Sequence, residues 1–147
     1  MTKRPSVGVG IMVLKNSKVL LGKRHSDPEK ADSELKGEGT WTMPGGKVDF
    51  KETVREAAKR ELFEETGIKG DALELFSVTD DIKGEKHFVT IGFLLKNPKE
   101  EPETKEPEEI VEWRWFEITD LPHPIYRPSD KILNKYKQSE SSFGNGE

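Results

Sequence analysis

Apolar side chains recur at every second position in several short stretches of the chain, and at helical spacing in others. Val7–Leu14 and Lys18–Lys23 read as strands joined by a polar turn at Asn16-Ser17. Along the first, Val7, Val9, Ile11 and Val13 share a face. Gly8 and Gly10 on the other face either permit close packing or form the floor of a pocket. Leu73–Asp80 and Lys86–Lys96 flank a turn at Lys83-Gly84. In the second of these, Val89, Ile91, Phe93 and Leu95 form an apolar face, while Phe88, Thr90, Gly92 and Leu94 form a mixed one suited to a pocket wall. Ile110–Phe116 alternates as a further strand, its Trp113 and Trp115 expected in the core.

Helical spacing marks residues 53–66, closed by Gly67, and Ser129–Lys137, with Ser129 as its N-cap. Strands running consecutively before and after the first helix predict a single α+β domain over residues 1–138, not a regular βαβ array. Residues 139–147 are expected to form a disordered tail. Between these elements, Trp41-Thr42-Met43 leads into a sharp break at Pro44-Gly45-Gly46. His25–Gly39 reads as a surface loop, either a lid or a plain insertion, and Asn97–Glu109 as a solvated acidic loop punctuated by proline.

The first helix carries an electrostatic oddity. At about 100° per residue, Val54, Ala57 and Ala58 fall in one arc and should face the core, yet Glu61, Glu64 and Glu65 fall in that arc too. Carboxylates placed where burial is expected lose hydration and repel one another, at a cost of several kcal/mol unless something compensates. Their spacing of three and four residues brings the carboxylates onto one patch. Hard oxygen donors at that density suit Mg²⁺, with Mn²⁺ as a substitute. Glu52 can reach the patch from the helix start, Gly46 can offer its carbonyl, and Arg60 can orient a carboxylate or meet a phosphate. Without such a cation, the same glutamates would read as a solvated face paired with Lys59 and Arg60.

Composition narrows the classes. The 147 residues suit one domain, and 32% apolar with 35% charged residues describes a polar but foldable chain. A net charge of −4 gives no footprint for a nucleic-acid polymer. With no cysteine, disulfides, thiolate metal sites and thiol nucleophiles are excluded. No run reaches transmembrane length and no secretory h-region opens the chain, so a cytoplasmic protein with no membrane partner is expected. His25, His87 and His123 lack partners at ligand spacing and are expected to be structural or exposed.

Gly46, Glu52, Arg60-Glu61-Leu62, Glu64-Glu65, Gly67 and Ile68 match the Nudix box, G-x5-E-x7-R-E-U-x-E-E-x-G-U, at every defined position. The chain therefore resembles the Nudix hydrolases. Its VGVG, VLLGKR, W-x-x-PGG, HFVTI and EPEEIVEWRWF segments resemble the MutT-like, nucleotide-sanitising branch. The resemblance implies an α/β/α sandwich with the box helix on one side of a mixed sheet and a C-terminal helix on the other. It implies metal-dependent hydrolysis of a nucleoside diphosphate linked to another moiety, with Glu61, Glu65, Glu64 and Gly46 as metal ligands and Glu52 in support. Glu61 is the preferred base, Glu64 and Arg60 join it in catalysis, and Glu109 or Asp81 are outside alternatives for the base. It also implies that Arg24 meets a phosphate and that Met43, Thr90 and Tyr126 approach the base of a small nucleotide substrate. Relatives are often homodimers, and Phe63 lies off the buried arc.

Three departures from the branch bear on the substrate. Tyr126-Arg127 stands where an aromatic pair would be expected, the loop after His25 is long, and the proline that often marks ADP-ribose hydrolases is missing near Ile82–Gly84. Alternatives outside nucleoside triphosphates are a nucleotide sugar or a pterin triphosphate as substrate, a silent nucleotide sensor, or an interaction module using the acidic loop.

Overall fold

A computed structural model describes residues 3–30 and 37–145. The strands are β1 (Ser6–Lys15), β2 (Lys18–Arg24), β3 (Trp41–Thr42), β4 (Gly45–Lys47), β5 (Glu74–Lys83), β6 (Lys86–Lys96) and β7 (Ile110–Glu117); the helices are α1 (Val54–Thr66) and α2 (Arg127–Asn145). β1 is the hub. One edge pairs in parallel with β6 from Ser6↔Phe88 to Leu14↔Lys96. The other edge is shared between β4, antiparallel at Gly8–Gly10, and β2, antiparallel at Leu14–Lys15. β5 extends the sheet beyond β6 as a hairpin, and β2 carries both β3 and β7.

Because β1 is sandwiched, both of its faces are apolar, and alternate residues feed two cores. Val9, Ile11 and Val13 pack with Phe93, Leu95 and the Ala57, Ala58 and Leu62 face of α1. Met12 and Leu14 pack with Trp41, Met43 and Leu94 beneath Ile132 and Leu133 of α2. The mixed sheet thus has one helix on each face, the α+β sandwich expected from the order of elements. Trp113 and Trp115 pack against the α1-side core.

Helix α1 begins and ends where its sequence dictates. Thr53 caps it in an extended conformation, accepting from the Glu56 N–H while the Glu56 side chain reaches back to the Thr53 N–H. Gly67 closes it at a left-handed φ of 77°, donating to the Phe63 carbonyl.

Several boundaries differ from expectation for identifiable reasons. Pro44-Gly45-Gly46 is not simply a break, since Gly45–Lys47 forms β4 against β1. β5 runs on to Lys83 because its hairpin with β6 keeps register to the Lys83↔Lys86 pair. α2 starts at Arg127, with Pro128 in the first turn where its missing N–H costs nothing. Ser129 is therefore inside the helix, not its cap. The same helix continues through most of the segment expected as a tail, to Asn145, since adding residues to a formed helix costs less than starting one.

The acidic loop is not merely solvated. Glu103 N–H donates to the Thr66 carbonyl at 2.9 Å, so the loop satisfies the C-terminal end of α1. The Lys15–Glu101 ion pair ties it to β1, and the Lys105 ammonium lies 4.3 Å from the Phe63 ring centroid. Removing Glu100–Glu106 would therefore disturb the C-terminal end of α1. In the loop after His25, residues 31–36 fall outside the described residues, so its reading as a lid or insertion is left there.

Leu62 is fully buried between α1 and the sheet. Leu62→Ala should cost about 2–5 kcal/mol, read from the urea midpoint with an unchanged m-value.

Candidate active site

The C-terminal half of α1 brings its glutamates against the β4 segment. Glu65 follows Ala58 and Leu62 onto the sheet-facing side and is 6% exposed. Its Oε2 accepts the Gly45 N–H at 2.8 Å. Glu61 sits beside Gly46, where a β-carbon would stand 2.6 Å from the carboxylate; only glycine lets the two meet. Glu64 departs from expectation, because it falls just past the edge of the buried arc, and its side chain is about half exposed.

Much of the compensation this face requires is supplied within the chain by Arg60. Its Nε and Nη2 grip the two oxygens of Glu52 at 2.6 and 2.9 Å. Nη1 donates to Glu61 at 2.8 Å and to Glu64 at 3.3 Å. That fork holds the Glu52 carboxyl down to about 2, reinforced by the Asp49 N–H. Glu61 goes the other way: burial outweighs Arg60 and pushes its carboxyl up to about 7, with Glu64 and Glu106 adding repulsion. Glu65 is raised well above the ordinary carboxylate range, first by burial and then by Glu61, against the single Gly45 N–H.

Held on Arg60 in this way, the carboxylates do not form a ready-made cage: among the described residues no three acidic or imidazole groups are grouped to hold a metal ion. The donor set nevertheless fits one. Glu65 is a buried acid with one backbone donor, and Glu61 and the Gly46 backbone lie against each other, offering the hard oxygens that Mg²⁺ prefers.

Glu61, Glu65 and Gly46 open onto a cleft of about 380 Å³ that is also lined by Arg24, Met43, Thr90 and Tyr126. The sequence-selected residues therefore converge. Arg24 Nε donates to the Gly37 carbonyl at 2.8 Å, and its guanidinium lies 4.8 Å from the Tyr126 ring centroid. Glu109 also lines the cleft, whereas Asp81 does not; it is buried under α2 in ion pairs with Arg127 and Lys131. Glu52, Glu64 and Arg60, also selected from the sequence, do not line the cleft; Arg60 joins the other two to Glu61. None of the histidines lines it; His87 pairs with Asp80 and His25 accepts the Asp27 N–H.

Some wall residues escaped sequence reasoning. The Ser129 hydroxyl accepts the Met43 N–H at 2.9 Å and contacts the Thr42 hydroxyl, joining α2 to β3. Phe88 and Ile132 complete the wall. The mixed face of β6 pointed to Phe88, while Ser129 was read from the sequence as a helix cap and not singled out as a site residue.

Residues 4–136 match the model of the NUDIX domain. The chain belongs to the Nudix family. Similar Nudix proteins include the ADP-ribose pyrophosphatase of Methanocaldococcus jannaschii, 32% identical over 134 residues, covering 90% of this chain and 73% of that one. The RNA pyrophosphohydrolase of Erythrobacter litoralis is 30% identical over 111 residues, covering 63% and 68%. A crystal structure of a MutT NUDIX hydrolase from Burkholderia pseudomallei superposes with a TM-score of 0.79 at 34% identity, covering 90% of this chain and 98% of that one. The chain is thus a MutT-like Nudix pyrophosphohydrolase, an enzyme that hydrolyses pyrophosphate bonds in nucleotide substrates. Nudix hydrolases generally use divalent metal ions.

A carboxyl raised on folding keeps its proton in the native state after the unfolded chain has lost it. Stability therefore falls as pH rises from the ordinary value of 4.5 through the Glu61 value of about 7, and the buried Glu65, raised in the same direction, adds to the loss. Urea midpoints in EDTA should drop between about pH 5 and pH 8, and saturating Mg²⁺, which favours the charged carboxylates, should flatten that slope.

Proposed function

We propose that this enzyme is a Mg²⁺-dependent nucleoside triphosphate pyrophosphohydrolase, converting a dNTP or a base-modified nucleotide to the monophosphate and pyrophosphate. One observation carries the reading: the buried acids beside Gly46 share a single cleft with Arg24, Met43, Thr90 and Tyr126. That arrangement gives a triphosphate room to lie with its phosphates near Glu61 and Glu65 and its base toward β6 and α2.

In this reading Glu61, Glu65 and the Gly46 carbonyl hold the metal, with Glu64 and Glu52 in support. The ion's chemistry is to neutralise phosphate oxygens and lower the pKa of bound water. Glu61 accepts the proton as a water oxygen bonds to phosphorus. The bridging P–O bond breaks as pyrophosphate leaves. Arg60 clamps Glu52 and steadies Glu61, so it acts by orienting carboxylates. Arg24, stacked on Tyr126, faces the phosphate chain. Glu109, on the cleft wall, is the alternative base.

A second reading, a nucleotide sugar such as ADP-ribose, is favoured by the name of the Methanocaldococcus relative. The Erythrobacter relative's name raises a 5′-triphosphorylated RNA end, although the net charge of −4 offers a polymer backbone little attraction.

The test is turnover of purified protein with Mg²⁺ across dNTPs, oxidised dNTPs, ADP-ribose, dihydroneopterin triphosphate and a 5′-triphosphate RNA oligomer, with products identified by mass spectrometry. The proposal expects the highest kcat/KM on a nucleoside triphosphate, with pyrophosphate released. Glu61→Gln and Glu65→Gln should each lower it by at least about 100-fold. Full activity in the Glu65 variant, or preference for ADP-ribose or RNA, would refute it.

A further inference from the structure

Asp81 lies outside the cleft, yet it is 1% exposed and carries two cations from one side of α2. Arg127 Nε stands 2.7 Å and Lys131 Nζ 2.9 Å from the same Asp81 oxygen, Oδ1. Lys131 also donates to the Asp80 carbonyl next door. Residues 127 and 131 are one helical turn apart, so the two pairs grip the first turns of α2 like a pair of pins.

These turns, with the residue just before them, form one wall of the cleft. Tyr126, Pro128, Ser129 and Ile132 line it, interleaved in sequence with the two cations. Ile132 packs on the sheet over Gly10 and Gly92, and Ser129 ties the helix to β3 through the Met43 N–H; toward β5 the Asp81 pairs are a polar tether. The sheet beneath the helix presents the buried hydroxyls of Ser77, Thr79 and Thr90, none with a hydrogen-bond partner among the described residues, together with Gly92. The Asp81 ion pairs thus fix the β5 side of this wall, as the Ser129 hydroxyl fixes its β3 side. The Asp81 Oδ2 has no hydrogen-bond partner among the described residues, so the buried charge rests on the two cations beside Oδ1, and a shift away from them strands it.

We propose that Asp81 is a positioning residue for substrate specificity: by pinning Arg127 and Lys131 it sets where Tyr126, Ser129 and Ile132 stand against the substrate. It touches no reacting atom. The inference rests on the reading of this cleft as the nucleotide site. Its loss should weaken binding of the part of the substrate that lies on α2, while the carboxylates of α1 and the chemical step are untouched.

The test is Asp81→Asn, which leaves only partly exposed cations unpaired, compared with Arg127→Gln, which keeps one pin and serves if the first variant fails to fold. Native-state hydrogen exchange should show faster exchange at amides 130–134, with amides of β1 and β6 as protected as in the parent. With the preferred nucleotide, KM should rise about tenfold for Asp81→Asn and less for Arg127→Gln, while kcat stays within about threefold. Unchanged exchange at 130–134 would overturn the proposal. So would loss of protection throughout the sheet with kcat and KM failing together, the mark of a merely structural acid. A parent protein inert toward every nucleotide would refute the functional reading instead; the exchange data would then decide alone whether Asp81 pins the helix.

Discussion

A carboxylate taken out of water needs a positive partner, and Glu65 has one backbone N–H. Everything around it follows from that debt. Arg60 is committed to Glu52, Glu61 and Glu64, so the strongest cation nearby settles the charge of its neighbours and leaves Glu65 aside. Glu61, pressed against Gly46, shares part of the same deficit. A divalent ion in the cleft would discharge both at once, and it would do so where a phosphate chain can also reach it.

The fold exists to keep this arrangement in place. β1 buries both faces, so it cannot shift without breaking two cores. Through β4 it fixes Gly45 and Gly46; through Val9, Ile11 and Val13 it seats α1. The acidic loop then closes the end of α1 by donating to Thr66, and carries Glu106 and Glu109 toward the same glutamates. On the opposite face, α2 supplies the far wall. The buried acids and the far wall of the cleft therefore hang from one sheet but are held by different contacts.

Much of this was legible in the sequence because period and spacing report local geometry directly. The alternation in β1 and β6, the Gly67 cap and the Gly46–Ile68 box each encode their own placement. What escaped depends on contacts between distant segments. Glu64 lies so near the edge of the helical arc that only the tilt of α1 on the sheet decides its exposure. Ser129 looked like a cap because serine usually is one; its bond to Met43 depends on α2 crossing β3. The acidic loop read as solvated because composition cannot reveal that its backbone serves a helix end. Asp81 stood as an outside alternative for the base, and only the packing of α2 shows that its charge faces Arg127 and Lys131.

The central claim is that Glu65 is held at an energetic cost which a metal ion removes, and its stability with and without metal tests this most directly. Urea unfolding of the parent and of Glu65→Gln should be compared at about pH 8, in EDTA and then in saturating Mg²⁺. In EDTA the neutral variant, which keeps an oxygen for the Gly45 N–H, should be the more stable of the two. With Mg²⁺ at about 100 times its dissociation constant, the parent should gain about 2.7 kcal/mol and overtake a variant that gains far less. A variant that is less stable in EDTA, or that gains as much from Mg²⁺ as the parent, would contradict the account.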